Sequence, residues 1–248
     1  MSVEVTADSE ADYGTVLLDR PECDNALGME ETTAIIDGVE LLGGNDDTAA
    51  VVLRGRPEVF CSGVSVESVT ERSGDVDATT ALIDRTIELY RAVETCPVPT
   101  VAVLEGPATS VGCELALATD LRVASEDAEL ALDGLEYGMV PPFERLRRIA
   151  GESVADDLAL TDRRLSAREA TGHGLSDRVV PSDAVDECVR SVVDSVTDER
   201  ARTVEQYKRA LRYADGKAVA DTTDYRRQLE YVCVTDPGFA ERAGRHVE

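Results

Sequence analysis

The stretch CPVPTVAVLEGPATSVGCELALATDLRVAS, Cys96 to Ser125, decides the fold. Pro97 and Pro99 end whatever precedes them, and TVAVL, Thr100 to Leu104, is an apolar β-branched run short enough to be a buried strand. Small residues in GPATSVG make a sharp turn, and Val111 to Ala118 then reads as an apolar helix. LRVAS and, a little later, ELAL return to short strands. Strand, turn, short buried helix and strand in close succession describe one step of an α/β domain.

The same alternation extends upstream. TVLL (15–18) and AAVVL (49–53) are short buried strands, closed by DRP and RGRP. Between them Ala34, Ile35, Val39 and Leu42 fall at helical spacing from Met29 to Leu42, with Gly43 and Gly44 as the stop. A second helix is expected over Ala78 to Val93. Downstream, SARE places Ser166 at an N-cap and Glu169 three residues later, a capping box that opens a short helix closed by Gly172 or Gly174. From Asp183 onward only helical patterns remain, in DAVDECVRSVVDSV, ERARTVEQYKRALRYA and a stretch through TTDYRRQLEYV. A boundary near Asp183 therefore divides an α/β core, residues 1–182, from a helical region, residues 183–248.

At 248 residues, 43% of them hydrophobic, the chain is long enough for one large α/β domain with a substantial core. Fifty acidic against 25 basic residues give a net charge of -25, which excludes nucleic acid as a partner because phosphate contacts need Lys and Arg. The acidity is read as adaptation to a hypersaline cytoplasm, where salt screens the repulsion among surface carboxylates. Six dispersed cysteines without a CxxC pair read as reduced thiols, and no apolar run reaches the ~18 residues of a membrane span. A soluble, cytoplasmic protein is the expectation. There is no GxGxxG after a strand, no GxxxxGK[ST] and no His/Cys cluster for zinc, so nicotinamide, nucleotide-hydrolysis and metal chemistry are not expected.

Two loops carry candidate chemistry. In VFCSGVSVESV, Gly63 lets the backbone approach a ligand closely. In GPATSVGCEL, Val111 and Gly112 start a helix whose unpaired N–H groups attract negative charge. A carbonyl oxygen becoming an oxyanion fits between one N–H from each loop, where each such donor contributes about 3 kcal/mol in the transition state. Glu114 lies one turn into that helix, among CELALA, where an unpaired charge is costly, and it is a candidate acid/base. Cys113 beside it reads as core packing.

The blocks VLLDRPECDNAL, AAVVLRGRPEVFCSGVSV, CPVPTVAVLEGPATSVGCELALATDLRVAS and LSAREATGHGLSDRVV resemble, in order, the signatures of the enoyl-CoA hydratase/isomerase (crotonase) family, over roughly residues 14 to 182. The resemblance implies a crotonase/ClpP-like spiral of ββα units with C-terminal helices that build a trimer, often paired into a hexamer. It implies an acyl-CoA thioester substrate, with coenzyme A entering as part of the substrate and no separate cofactor. The family's oxyanion-hole amides fall on Val64 and Val111 and its first catalytic glutamate on Glu114; Ser62, Gly63, Ser65, Ser110 and Gly112 surround them as substrate-binding positions.

Departures from the family pattern are equally specific. Its second catalytic glutamate falls on Gly134, leaving Asp133, or less directly Glu136, to bring a carboxylate in. The acidic position after the oxyanion loop is Ser65, the usual CoA-phosphate lysine is Glu67, and VTDPGFAERAGRHVE is expected to stop before the family's CoA-contacting tail, so Arg20, Lys208 and Arg209 are the substitutes considered. Hydration of a 2-enoyl-CoA with Glu114 as acid/base is the first expectation. Double-bond isomerisation by one carboxylate and an acyl-CoA-binding homologue without turnover are the alternatives. A third arises from G-x-A-x-S-x-G, Gly106 to Gly112, which also resembles the nucleophile turn of the Clp serine peptidases, but neither His173 nor His246 is where Ser110 needs a base.

Overall fold

A computed structural model describes residues 3–8, 12–56, 58–135, 137–197, 201–214, 216–217, 219–236 and 239. In chain order the elements are β1 (Val3–Asp8), β2 (Tyr13–Leu18), α1 (Met29–Gly43), β3 (Ala50–Gly55), α2 (Val66–Glu71), α3 (Val76–Thr95), β4 (Thr100–Leu104), β5 (Ala108–Thr109) and α4 (Val111–Ala118). There follow β6 (Leu121–Ser125), β7 (Glu129–Ala131), α5 (Glu144–Ala150), α6 (Glu152–Thr161), β8 (Leu165–Ser166), α7 (Ala167–Gly172), β9 (Arg178–Val180), α8 (Val185–Thr197), α9 (Ala201–Ala214) and α10 (Val219–Val234).

The larger sheet runs β1-β2-β3-β4-β6-β9, antiparallel between β1 and β2 and parallel from β2 onward. A smaller sheet, β5-β7-β8, lies beside it. β4 and β6 are neighbours in the first sheet, and β5 and β7, which follow them, are neighbours in the second. Each turn of chain thus lays one strand in each sheet before its helix, the staircase expected of a ββα spiral. The step before it is reduced to single bridges, Leu27 with Val64 and Cys61 with Ala108.

Parallel strands covered on both faces must be apolar on both, and β3 and β4 meet that condition, every residue but Arg54 being buried. Val51, Leu53, Ala102 and Leu104 face the main core with Ile35, Val39, Leu89 and Leu115. Val52, Val101, Val103 and Val123 face the other way, onto Val185, Val189 and Val193 of α8. Because α8 supplies that second face, the compact unit runs to Ser195, beyond the boundary expected at Asp183. The second unit, Val196–Glu248, contains α9 and α10, joined by a Tyr213–Tyr225 stack at 4.1 Å and an Arg202–Asp236 ion pair at 2.5 Å.

Candidate active site

The loop after β3 is held from both sides by backbone hydrogen bonds. The 20–27 turn clamps one side: Asn25, buried and left-handed at φ 55, accepts from the Arg20 amide at 2.7 Å and donates to the Val59 carbonyl at 2.8 Å. The Ser62 amide donates to the Asp24 carbonyl, Leu27 to Gly63, and Ser65 to Leu27. On the other side Phe60 donates to Pro107, Thr109 donates to Cys61, and the Thr109 hydroxyl donates to the Ser62 carbonyl. Two glycines let these loops touch. Gly63 has φ +108, and a Cβ there would lie 2.6 Å from Ser110 Cβ; a Cβ on Gly112 would lie 2.2 Å from the Cys61 carbonyl oxygen. Ser110 itself takes φ 53 and ψ -124, a sparsely populated conformation for a side-chain-bearing residue, directly before α4.

Nearly every amide around this junction has an acceptor, including those of Cys61, Ser62, Ser65, Thr109 and Ser110. Among the described residues, neither the Val64 nor the Val111 amide has an acceptor within the chain. Val64, Ser110 and Val111 line one cavity of about 750 Å³, whose walls are largely apolar and include Val69, Leu82, Ile83, Ile87, Val140 and Phe143. Ser65 accepts from the Ser68 amide and caps α2 instead. Ser62, Gly63 and Gly112 support the junction by backbone contacts.

Glu114 is completely buried. Its Oε1 accepts from the Leu146 amide at 2.9 Å, both oxygens accept from the Arg145 amide at 3.1 Å, and Oε2 accepts from the Arg145 guanidinium at 3.2 Å. The carboxylate therefore caps α5, whose own N-cap residue, Phe143, has no side-chain acceptor to offer. Burial raises the Glu114 carboxyl above its ordinary value, while the two amides and Arg145 oppose that rise. Glu114 does not line the cavity; Arg145 does.

The position without a side chain is filled. A Cβ on Gly134 would stand 2.3 Å from Pro141 Cδ and 2.8 Å from the Met139 carbonyl oxygen, so the 139–141 segment occupies the space a longer residue would need. Asp133 does not enter the cavity; it pairs with Arg164 at 2.5 Å, and its carboxyl is raised by burial against that cation's pull. Glu136 lies outside the described residues. Arg20 is held by Glu31 at 3.0 Å and Arg209 by Glu205 at 3.4 Å, while Lys208 is buried. His173 caps the end of α7, is exposed, and does not line the cavity that Ser110 lines. Cys61 and Cys113 are fully buried in the core and burial raises both thiols, Cys61 to about 12, which keeps them protonated and unreactive.

Three residues that sequence reasoning missed stand at the cavity. Tyr90 donates its hydroxyl to the Val111 carbonyl at 3.4 Å, Arg145 lies over the Tyr90 ring with 4.6 Å from guanidinium carbon to centroid, and Arg145 Nε donates to Glu94 at 2.9 Å. A signal existed. Thr86, Tyr90 and Glu94 repeat every four residues along α3, next to the buried stripe of Leu82, Leu89 and Val93.

No group of three or more His, Cys, Asp or Glu side chains suited to a metal ion occurs among the described residues. No helix among them is long and apolar enough to cross a membrane.

This arrangement has many counterparts. The chain matches the enoyl-CoA hydratase/isomerase family model over residues 9–238. A probable enoyl-CoA hydratase of Mycobacterium bovis is 29% identical over 219 residues, covering 87% of this chain and 84% of that protein. A putative enoyl-CoA hydratase of Thermus thermophilus is 33% identical over 211 residues, covering 83% of each. Among solved structures, an enoyl-CoA hydratase of Mycobacterium smegmatis superimposes with a TM-score of 0.92 at 25% identity, over 100% of this chain and 96% of that one. The human enoyl-CoA hydratase domain-containing protein 3 shares the fold with a TM-score of 0.94 at 20% identity, over 100% and 97%. With the two-sheet staircase, the glycine-packed loop junction and a family match over nearly the whole length, the chain has the crotonase fold and belongs to the enoyl-CoA hydratase/isomerase family.

Proposed function

We propose that this chain is an enoyl-CoA hydratase-like enzyme that holds the carbonyl of a 2-enoyl-CoA thioester between the Val64 and Val111 amides. One observation carries the reading: those two N–H groups lack an acceptor among the described residues and belong to residues lining a mostly apolar cavity of about 750 Å³. Backbone donors fixed in advance suit an oxygen that gains charge during reaction, because they need no reorganisation when it does. The start of α4 adds its dipole at Val111. The acyl chain occupies the apolar part of the cavity, and coenzyme A arrives with the substrate, no other cofactor being required.

In this reading Glu114 is the acid/base, one turn beyond Val111 on α4. To act on the substrate it must let go of the Arg145 and Leu146 amides, so turnover through Glu114 is coupled to loosening of the first turn of α5. The engagement of Glu114, together with the filled space at Gly134, favours a second reading in which the chain binds acyl-CoA without turnover. Double-bond migration, which needs only one carboxylate, is the remaining alternative for an active enzyme. The proposal includes a cytoplasmic trimer or hexamer, which sedimentation of the purified chain at high and low salt would measure.

Incubation with a panel of 2-enoyl and 3-enoyl thioesters followed by mass analysis separates these outcomes. Water addition raises the mass, migration leaves it unchanged, and binding without product supports the second reading. Glu114→Gln is expected to lower turnover of a crotonyl-type thioester by about 10²- to 10⁴-fold, the contribution typical of a general acid/base. Full activity in that variant would remove Glu114 from the chemistry.

A further inference from the structure

We propose that Glu94 is a second catalytic carboxylate of this site, presented to the bound thioester by Arg145; the proposal rests on the thioester-binding reading above. Glu94 lies in the last turn of α3 and lines the same cavity as Ser110 and Val111. Its side chain is 22% exposed, whereas that of Glu114 is 0% exposed. Of the two glutamates, Glu94 is the one that faces the space a substrate would fill.

An unbroken series of contacts joins it to the oxyanion-binding residue. The Tyr90 hydroxyl donates to the Val111 carbonyl, Arg145 lies across the Tyr90 ring, and Arg145 donates to Glu94 on one side and Glu114 on the other, at 2.9 and 3.2 Å. Tyr90 and Glu94 are one helical turn apart, so α3 fixes the carboxylate relative to the Val111 loop. Arg145 is a positioning residue. Its cation offsets two carboxylates in the cavity wall; burial works to lower its pKa, and Glu94 and Glu114 together outweigh that and raise it above the ordinary value. Such a group is a poor way to gain stability, since desolvating two acids and an arginine costs about what their attraction returns, and apolar packing serves as well or better. What the arrangement does provide is a carboxyl group held at the cavity surface, in a site whose Gly134 position offers none.

With Glu114 retained as the α5 cap, Glu94 can balance the step by itself. A water O–H proton passes to the Glu94 carboxylate as the water oxygen bonds to the β carbon. The C=C electron pair shifts toward the thioester, and the carbonyl pair moves onto the oxygen held by the Val64 and Val111 amides. As that pair returns, the α carbon takes the proton from Glu94, giving the 3-hydroxyacyl thioester and the original carboxylate.

The test compares the full chain with Glu94→Gln, Glu94→Asp and Arg145→Lys, measuring kcat and KM against pH with a 2-enoyl thioester, and the affinity for a saturated acyl-CoA by calorimetry. Support is a fall in kcat of about 10²- to 10⁴-fold in Glu94→Gln with KM and saturated-ligand affinity little changed, together with loss of the acid limb of the pH profile. Glu94→Asp should recover part of the rate and restore that limb, which a structural ion pair alone would not do. Arg145→Lys, which keeps the cation but loses the fork, should retain more of kcat than Glu94→Gln does. Unchanged kcat and pH profile in Glu94→Gln overturn the role of Glu94 and leave the thioester reading intact. Wild type that binds acyl-CoA but turns over no thioester also overturns it. Wild type that binds no acyl-CoA overturns the functional reading itself, and this proposal with it.

Discussion

Glu114 has two occupations that pull against each other. As a helix cap it is satisfied by two amides and a guanidinium; as an acid/base it would have to exchange protons. Its titration gives a direct measure of how firmly the first occupation holds. Burial raises its carboxyl above the usual 4.5, so the folded chain binds that proton more tightly than the unfolded chain does. The stability linked to this proton is fully present below the unfolded value and is lost as pH rises through the folded one. Glu114→Gln removes that dependence. In paired melting curves, Tm of the variant minus Tm of wild type should therefore grow in the variant's favour from about pH 4 to 7. A flat difference would mean that the cap lowers the carboxyl as much as burial raises it, and a falling one that it lowers it more.

Helices here are specified locally or from a distance, and that distinction governs what could be read. α7 is local: Ser166 accepts from the Glu169 amide while Glu169 accepts from the Ser166 amide, as the SARE string predicts. Replacing Ser166 by Ala should cost about 1 kcal/mol, measurable as a shift in urea midpoint at constant slope; no shift would mean that packing of Ala167 and Ala170 holds the helix by itself. α4 was equally legible, its bounds Val111–Ala118 agreeing with the reading from its small-residue turn and apolar run. α5 was not, because ERLRRIA has little apolar pattern and its N-terminal acceptor comes from Glu114 on another helix. β1 escaped for a related reason: beyond Val3 its described side chains are largely exposed at a sheet edge, leaving no buried alternation to detect. The two loops that meet at Gly63 and Gly112 were legible because glycine and turn chemistry mark them in sequence, whereas the choice of the Val64 and Val111 amides within them came from the family resemblance. Glu94 and Arg145 were not, since each looks like a solvent-facing helical charge until α3 and α5 are brought to one cavity.

At the scale of the molecule, a net charge of -25 is carried with only two lysines, Lys208 and Lys217, so arginine supplies nearly all the cations. Many are forked between two acids, as Arg54 is between Glu105 and Asp186, or Arg163 between Asp157 and Glu169. These pairs answer part of the repulsion, and salt must screen the remainder, whose range contracts from about 10 Å at 0.1 M to 3 Å at 1 M. Tm should climb as KCl is raised from about 0.1 M toward 2 M, followed by circular dichroism; a constant or declining Tm would remove the saline explanation of the acidity. The staircase has a different consequence, one of measurement. β3 and β4 are adjacent parallel strands, and the Val64 and Val111 loops leave their ends in the same direction, stitched together where Cys61 meets Ala108. The spacing of the two loops is thereby tied to the repeat distance of paired strands, about 4.8 Å, rather than to any side chain. Evolution can exchange the upholstery of such a pocket freely while the frame that sets its mouth keeps its gauge.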